Sequence, residues 1–287
     1  MRLYLLAGVK TAPLFMERFR AILHRKLTEA GLPVSSRLLY PYGDWSRSGI
    51  VQVREIAHDM RLGPARTFKS IGGERARKDI EAELADERRT GDPDSGCDPD
   101  SGCDPDSGCD PDSGCGPGTS FGSGSGLQPD SMAGPTVASL PLLLIGHSGG
   151  GTAAVHAAAA LRATRPGPVY VVLIGSPKSR IPSSLTGDTF YVVAGRRADP
   201  VTRLGTFGGW ASGRRTAEAA PSDARRPRLP SWERGRHGPG RTAEVPIIGG
   251  HADYFRESEA YVNAEGQSNL GLTFGTVWAW LSSKLPL

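Results

Sequence analysis

The sequence has few cysteines, and all of them lie in one six-residue repeat, DPDSGC, at Cys97, Cys103, Cys109 and Cys115. None falls in a segment with the pattern of a helix or strand, so the core does not depend on disulfides. The spacing also misses the C-x-x-C arrangement of zinc ligands. Residues 92–115 contain no Glu to complete a calcium-binding loop of the EF-hand type. We therefore expect no metal site and no cofactor.

Long apolar runs and a strong net charge are also missing. No run approaches the roughly 18 apolar residues that a membrane-spanning helix needs. The apolar stretch after Met1 ends at Gly8, too short for the core of a secretory signal. The formal net charge is only +4, so binding to nucleic acid or to a membrane would require local clusters of basic residues. We expect a cytoplasmic protein without a membrane span and with no nucleic-acid partner, whose oligomeric state the sequence leaves open.

Apolar stretches with the pattern of buried strands alternate with stretches of helical periodicity. This alternation predicts an α/β fold, a doubly wound, mostly parallel sheet of about six strands in a three-layer sandwich. In one predicted helix, Ile50, Val53, Ile56, Ala57 and Met60 fall on one side. Strands are predicted within 2–9, 34–45, 140–146, 167–177, 188–200 and 243–255, and helices within 14–30, 48–60, 153–161 and 272–285.

Two stretches interrupt an otherwise single domain of residues 1–287. Residues 91–136 contain four DPDSGC copies and continue in Gly, Ser and Pro, a composition that cannot form a core, and we predict a disordered insert. Residues 203–243 are rich in Arg, Gly and Pro and are predicted to be a mobile excursion. Residues 196–241 hold eleven Arg against four acidic residues. This basic surface could be simply solvated, could cover the active site, or could contact an anionic substrate such as a CoA ester.

The most informative motif is Gly146-His147-Ser148-Gly149-Gly150, which lies between a predicted buried strand and an Ala-rich helix. It matches G-x-S-x-G in the strand-turn-helix context of a nucleophile elbow. The chain thus resembles the α/β-hydrolases, in a minimal form without their first two strands. In such an elbow the residues two positions either side of the serine must be small, as Gly146 and Gly150 are. A glycine-rich turn that binds an anion or packs closely is the alternative.

The resemblance implies a triad in the chain order Ser, acid, His. Asp199, after the fifth strand, lies where the resemblance expects the acid, and His251 follows the sixth strand. Asp188 precedes its strand, and Asp253 is better suited to capping a helix. His147 is the variable residue of the elbow and is expected to point away from the attacked side. His237, in the Arg-rich excursion, stays an alternative to His251.

The resemblance also places an oxyanion hole at the backbone N–H of Gly149 and in the loop after the first strand, at Gly8 and Val9. The HGGG-type loop common in the family is absent, which leaves the second donor open. The segment YPYGDW could supply a pocket wall from Tyr40, Tyr42 and Trp45, or these aromatics could pack on the surface.

Two functions follow as hypotheses. The first is a serine hydrolase that cleaves a small-molecule ester or thioester through an acyl-enzyme on Ser148, with His251 as base and Asp199 as its partner. The second is a non-catalytic binding protein of the same fold that uses the Arg-rich excursion. The sequence does not identify the acyl group, the leaving group or the pathway.

Overall fold

A computed structural model of the chain describes residues 1–90, 139–195, 198–211 and 230–285. Six of the described strands form one parallel sheet, and two short antiparallel strands form a separate pair. The predicted α/β class is confirmed. The strands are β1 Arg2–Leu6, β2 Ser35–Leu39, β3 Leu142–His147, β4 Val169–Ile174, β5 Thr189–Ala194, β6 Gly209–Ala211, β7 Ser231–Glu233 and β8 Arg241–Val245.

Helices cover both faces of the large sheet. The first and last helices pack on one face, and two central helices pack on the other. The α-helices are α1 Glu17–Glu29, α2 Gly49–Arg61, α3 Ile71–Thr90, α4 Gly149–Thr164, α5 Ser183–Thr186 and α6 Asn269–Ser282. Short 3-10 helices occur at Pro64–Lys69, Val201–Arg203 and Glu259–Tyr261.

The central strand β3 shows why this sequence forms a three-layer structure. All six of its residues are buried, as expected for a parallel strand that is covered on both faces. Leu143 and Ile145 belong to the core beneath α1 and α6, whereas Leu142 and Leu144 belong to the core beneath α3 and α4. Successive side chains of a strand point to opposite faces, so one apolar run supplies both cores.

The sheet has the strand order β2-β1-β3-β4-β5-β8. The chain therefore passes from β1 outward to β2 and returns to continue on the other side from β3. In such sheets the direction of winding reverses between two neighbouring strands, here β1 and β3, and ligands bind in the crevice outside their carboxyl ends. The loop after β1 and the turn after β3 are the segments that form this crevice.

Two elements differ from the expectations. The sequence pattern did not predict α3, a 20-residue helix whose buried apolar residues are Ala76, Ile80 and Leu84. The Arg-rich stretch 203–243 contains defined structure at both ends, namely β6, β7 and the start of β8. Residues 91–138 and 212–229 lie outside the described residues, so the predicted insert of 91–136 and the middle of the Arg-rich stretch do too.

Candidate functional site

The turn between β3 and α4 holds Ser148 in an unusual backbone conformation. Its φ is 55° and its ψ is −134°, a region that non-glycine residues adopt only under constraint, at a cost of about 1–3 kcal/mol. A Cβ at Gly146 would collide with the backbone of Gly151, and one at Gly150 would collide with the carbonyl group of Leu6. The two glycines thus allow the turn to close against β1 and the first turn of α4.

Three side chains from the segments that follow β3, β5 and β8, those of Ser148, Asp199 and His251, lie within hydrogen-bonding distance of one another in series. His251 lies in the loop after β8, and its Nε2 is 2.8 Å from the Oγ of Ser148. Its Nδ1 is 3.0 Å from the Oδ1 of Asp199, which follows β5. With Nδ1 protonated, the imidazole donates to the carboxylate, and its Nε2 can accept the hydroxyl proton of Ser148. The structure therefore brings together the three residues that the sequence nominated as nucleophile, base and acid.

Asp199 is buried but well supplied with hydrogen-bond donors. Its Oδ1 also accepts the backbone N–H of Val201 at 2.9 Å, and its Oδ2 accepts the hydroxyl of Tyr254 at 2.8 Å. Burial is the largest single influence on its pKa and acts to raise it, but the hydrogen bonds and the nearby His251 outweigh burial, so the pKa lies below its ordinary value. Asp199 is therefore held as a carboxylate that can orient His251.

Tyr254 was not singled out from the sequence. Its hydroxyl donates to Asp199 and accepts the N–H of Ala194 at 2.7 Å, so it connects the carboxylate to the end of β5. Burial, followed by the charge of Asp199, raises the pKa of Tyr254 and keeps the hydroxyl protonated as a donor. Its position three residues after His251 was the available signal, but aromatic residues near a site are too common to identify such a role.

His147 does not point away from the site. Its ring stacks on His251 with 5.0 Å between ring centroids, and its Nε2 is 3.1 Å from the backbone oxygen of His251. Burial, and then the neighbouring His251, lower its pKa from 6.5 to about 3, so His147 is neutral and donates through Nε2. Because β3 runs directly into the turn at Ser148, His147 lies beside His251, and its hydrogen bond to the backbone oxygen of His251 helps to fix that loop.

The loop after β1 lies against Ser148. A Cβ at Gly8 would be 2.6 Å from the Cβ of Ser148 and 3.1 Å from the N of Gly149, so only glycine permits this approach. Val9 and Gly149 both line the cavity at Ser148. The N–H groups of a first helical turn have no acceptors within their own helix, which leaves that of Gly149 available. Among the described residues, the N–H of Val9 has no acceptor either.

Gln52, a buried residue of α2, holds this loop in place. Its Oε1 accepts the backbone N–H of Lys10 at 2.7 Å, and its Nε2 donates to the backbone oxygens of Gly43 and Asp44. All three hydrogen bonds connect one side chain to two separate loops. Gln52 thus fixes the segment that follows Gly8 and Val9, a role that the sequence pattern did not indicate.

A cavity of about 910 Å³ opens above Ser148, within the size range typical of ligand sites. His147, Ser148 and His251 are among its lining residues. Its apolar lining comes from α2 and from the segments that follow β1, β4 and β5, through Val9, Ala12, Phe15, Val53, Ile56, Ala57, Met60, Pro177, Val201 and Leu204. The side of α2 that the sequence identified as apolar therefore lies mainly against the cavity rather than in the core.

The aromatic residues of YPYGDW do not supply the wall of this cavity, which corrects the sequence-based expectation. None of Tyr40, Tyr42 and Trp45 is among its described lining residues. Tyr42 is fully buried, and its hydroxyl donates to Asp59 of α2 at 2.9 Å, whereas Trp45 is largely exposed. Tyr42 packs in the core with α2 and α3, so the opposite side of α2 is the one left to face the cavity.

The competing candidates lie elsewhere. Asp188 precedes β5 and pairs with Arg162 and Lys284. Asp253 accepts the backbone N–H of Gly250 rather than capping a helix. His237 lies against Gly209, and its backbone bonds to Phe207 and Ile181, so it is not a partner of Ser148.

Within the described ranges, no cluster of His, Cys, Asp and Glu is suited to hold a metal ion. Nor does any helix there combine the length and apolar composition needed to cross a bilayer. The four cysteines of the repeat lie outside these ranges.

Comparison with known proteins assigns no family to this arrangement: no protein-family model matches the chain, and no curated protein matches it. A fold by itself does not define an activity, so the function has to be argued from the side chains at the site.

Proposed function

We propose that the protein is a serine hydrolase of the α/β-hydrolase type that cleaves a carboxylic ester or thioester through an acyl-enzyme on Ser148. The observation that carries this proposal is the continuous hydrogen-bonded series from Ser148 through His251 to Asp199, with distances of 2.8 and 3.0 Å. A nucleophile, its base and a group that orients the base are the three parts that covalent acyl transfer requires.

In the first half of the reaction, the Oγ of Ser148 attacks the carbonyl carbon of the substrate while its proton moves to the Nε2 of His251. The carbonyl oxygen becomes an oxyanion, and the N–H groups of Val9 and Gly149, which line the cavity at Ser148, are the backbone donors that would stabilise it. The bond to the alcohol or thiol then breaks, and that group leaves with the proton from His251. The product of this half is an ester of Ser148.

In the second half, a water molecule attacks the acyl carbon and gives a proton to the Nε2 of His251. The bond to Oγ breaks, Ser148 recovers its proton from His251, and the carboxylic acid is released. Throughout both halves Asp199 stays ionised and stabilises the charged imidazole.

Hydrolysis of p-nitrophenyl acetate and octanoate by purified protein tests the proposal. We expect Ser148→Ala to lower kcat by at least about 10³-fold, because no other described hydroxyl lies beside His251. Ser184→Ala, an exposed serine of α5 that does not line the cavity, is the matched control and should keep the wild-type rate. Equal rates for wild type and Ser148→Ala would contradict the proposal.

A further inference from the structure

The charged side chains that line the cavity in the described part of the chain all have one sign. Lys10, Arg61 and Arg180 are among its lining residues, and none of the described lining residues is Asp or Glu. None of the three cations forms an ion pair with a described residue. A concave, largely apolar surface concentrates the field of such charges, so the cavity favours an anionic ligand over a neutral or cationic one.

Two of these cations are associated with the same end of α2. Arg61 is the last residue of α2 and follows Met60, whose side chain lies against Gly205. Arg180 lines the cavity together with Gly205, and its Nε–H donates to the backbone oxygen of Gly208 at 3.0 Å. This hydrogen bond anchors the guanidinium, while its terminal nitrogens have no hydrogen-bond partner among the described residues. Guanidinium groups placed in this way suit a carboxylate or phosphate.

Lys10 lies near the other end of α2. Its side chain contacts Gly49, the first residue of the helix, and its Nζ donates to the backbone oxygen of Trp45 at 2.9 Å. Between the two charged ends, the cavity wall consists of the apolar side chains of Val53, Ile56, Ala57 and Met60. At a rise of 1.5 Å per residue this apolar stretch is about 10 Å long, which suits an aliphatic chain of medium length.

We infer that the substrate combines an aliphatic acyl chain, bound along Val53, Ala57 and Met60, with an anionic group bound by Arg61 and Arg180. This inference rests on the proposed hydrolase function and specifies its substrate class. The anionic group is a phosphate or a carboxylate, carried either by the leaving group or by the far end of the acyl chain.

Two substrate pairs with the same chain length distinguish these sources. Octanoyl-coenzyme A and octanoyl-N-acetylcysteamine share the thioester but differ in the phosphates of the leaving group. Mono-p-nitrophenyl suberate and p-nitrophenyl octanoate share the leaving group but differ in a terminal carboxylate. In at least one pair we expect kcat/KM to be about tenfold or more higher for the anionic member, as for a charge-assisted hydrogen bond. Salt should reduce this preference.

Arginine variants connect the preference to the site. In Arg61→Gln and in Arg180→Gln the ratio of kcat/KM for the anionic and neutral members should fall about tenfold. Arg54→Gln is the matched control, because Arg54 is an exposed arginine of the same helix that does not line the cavity, and it should keep the wild-type ratio. A missing preference in both pairs, or a preference that neither Arg61→Gln nor Arg180→Gln reduces, would overturn the inference.

Failure of the inference can be told apart from failure of the proposed function. If Ser148 is required to hydrolyse the neutral members and no anionic member is preferred, the inference is contradicted and the proposed hydrolase function is still supported. If no substrate is cleaved, calorimetric titration of Ser148→Ala with the same four compounds decides. Tighter binding of an anionic member that Arg61→Gln weakens about tenfold supports the anion site without the hydrolase. Equal binding within both pairs overturns the inference.

Discussion

At the scale of single residues, the site depends on constraints that hold a few groups in one arrangement. Ser148 is kept in a positive-φ conformation by the glycines around it, and the loop after β1 can approach it because Gly8 has no side chain. Asp199 has a hydrogen-bond donor on each carboxylate oxygen, and His147 stacks on His251. Each group is therefore fixed by contacts outside the triad itself.

The role assigned to Asp199 can be tested by an isosteric change. Asp199→Asn keeps the shape of the side chain but removes its negative charge. It also replaces one of the two acceptor oxygens by an NH2 donor, which cannot accept a hydrogen bond from the Nδ1–H of His251. We expect kcat for p-nitrophenyl octanoate to fall about 10³- to 10⁴-fold, because the imidazole loses both its orientation and the stabilisation of its charged form. Asp79→Asn, at an exposed position of α3, should retain full activity. Full activity in Asp199→Asn would show that another group orients His251.

Chain order and strand ends were enough to predict which residues meet at the site. The elbow, Asp199 and His251 each follow a strand of the same sheet, so their assembly at one edge could be anticipated. The roles of Tyr254 and Gln52 could not, because each depends on a hydrogen bond between segments that are remote in sequence or ordinary in composition. The sequence also left open whether the aromatic segment YPYGDW forms the cavity wall or packs elsewhere, and it did not identify α2 as that wall. An aromatic loop and the apolar side of a helix are both suited to form a cavity wall, and only the packing of the folded chain shows which of them does so.

At the scale of secondary-structure elements, α2 forms much of the apolar wall of the cavity at Ser148. Ile56 packs against Gly149, whereas Val53 lines the cavity and is 54% exposed. Asp59 of the same helix anchors α3 by accepting the N–H groups of Ile71 and Gly72. Polar contacts of Asp59 thus fix α2 on the side that packs against α3, and its apolar side lines the cavity.

The position of α2 predicts how acyl-chain preference can be changed. Ala57→Phe adds a large ring to the apolar wall, so a long acyl chain loses contact area that a short one never uses. We expect the ratio of kcat/KM for p-nitrophenyl octanoate to that for the acetate to fall about tenfold, equivalent to losing the burial of roughly two methylene groups. Val51→Phe adds the same ring to α2 outside the cavity and should leave the ratio unchanged. An unchanged ratio in Ala57→Phe would mean that the chain binds elsewhere.

Among the elements, α3 shows the limit of periodicity in this chain. It carries one buried apolar residue per turn, at Ala76, Ile80 and Leu84, among many charged residues, and two glycines occur in its first turn. This pattern is too sparse to identify a helix from apolar spacing. The close packing of α3 on α4 becomes apparent only when the small residues of α4 are placed beside it.

At the scale of the whole molecule, buried histidines make the free energy of unfolding depend on pH. In the folded chain the pKa of His147 is about 3, against 6.5 for an ordinary histidine, so between these values only the unfolded chain binds the proton. The free energy of unfolding should therefore rise with pH across this interval by up to about 1.4 kcal/mol per pH unit, and level off above it. Burial also lowers the pKa of His156, which adds to the slope with the same sign.

Urea unfolding followed at several pH values between about 4 and 8 measures this slope. His147→Gln should reduce this slope by up to about 1.4 kcal/mol per pH unit, the contribution of one proton. His58→Gln, which changes an exposed histidine, should leave the slope unchanged. An identical slope in wild type and His147→Gln would contradict the assignment of a neutral, buried His147.

The overall architecture was the most predictable feature, because alternating strands and helices leave few ways to cover both faces of a sheet. Five strands of the parallel sheet lie within the predicted stretches, except that β3 extends one residue further, and the sixth, β8 at Arg241–Val245, overlaps only the start of the stretch predicted for it, 243–255. The apolar residues Ile247 and Ile248, on which that prediction depended, follow the strand rather than form it. The short pair β6 and β7 was not anticipated, since each strand has only three residues within an Arg- and Gly-rich stretch.

The central claim is that Ser148 is a nucleophile activated by His251. Incubation with a fluorophosphonate probe, followed by intact-mass and peptide mass spectrometry, tests it most directly. The account predicts one phosphonyl adduct per chain on Ser148, with labelling lost in Ser148→Ala and strongly slowed in His251→Ala. Labelling of Ser148→Ala as fast as wild type, or no labelling of the wild type, would contradict it.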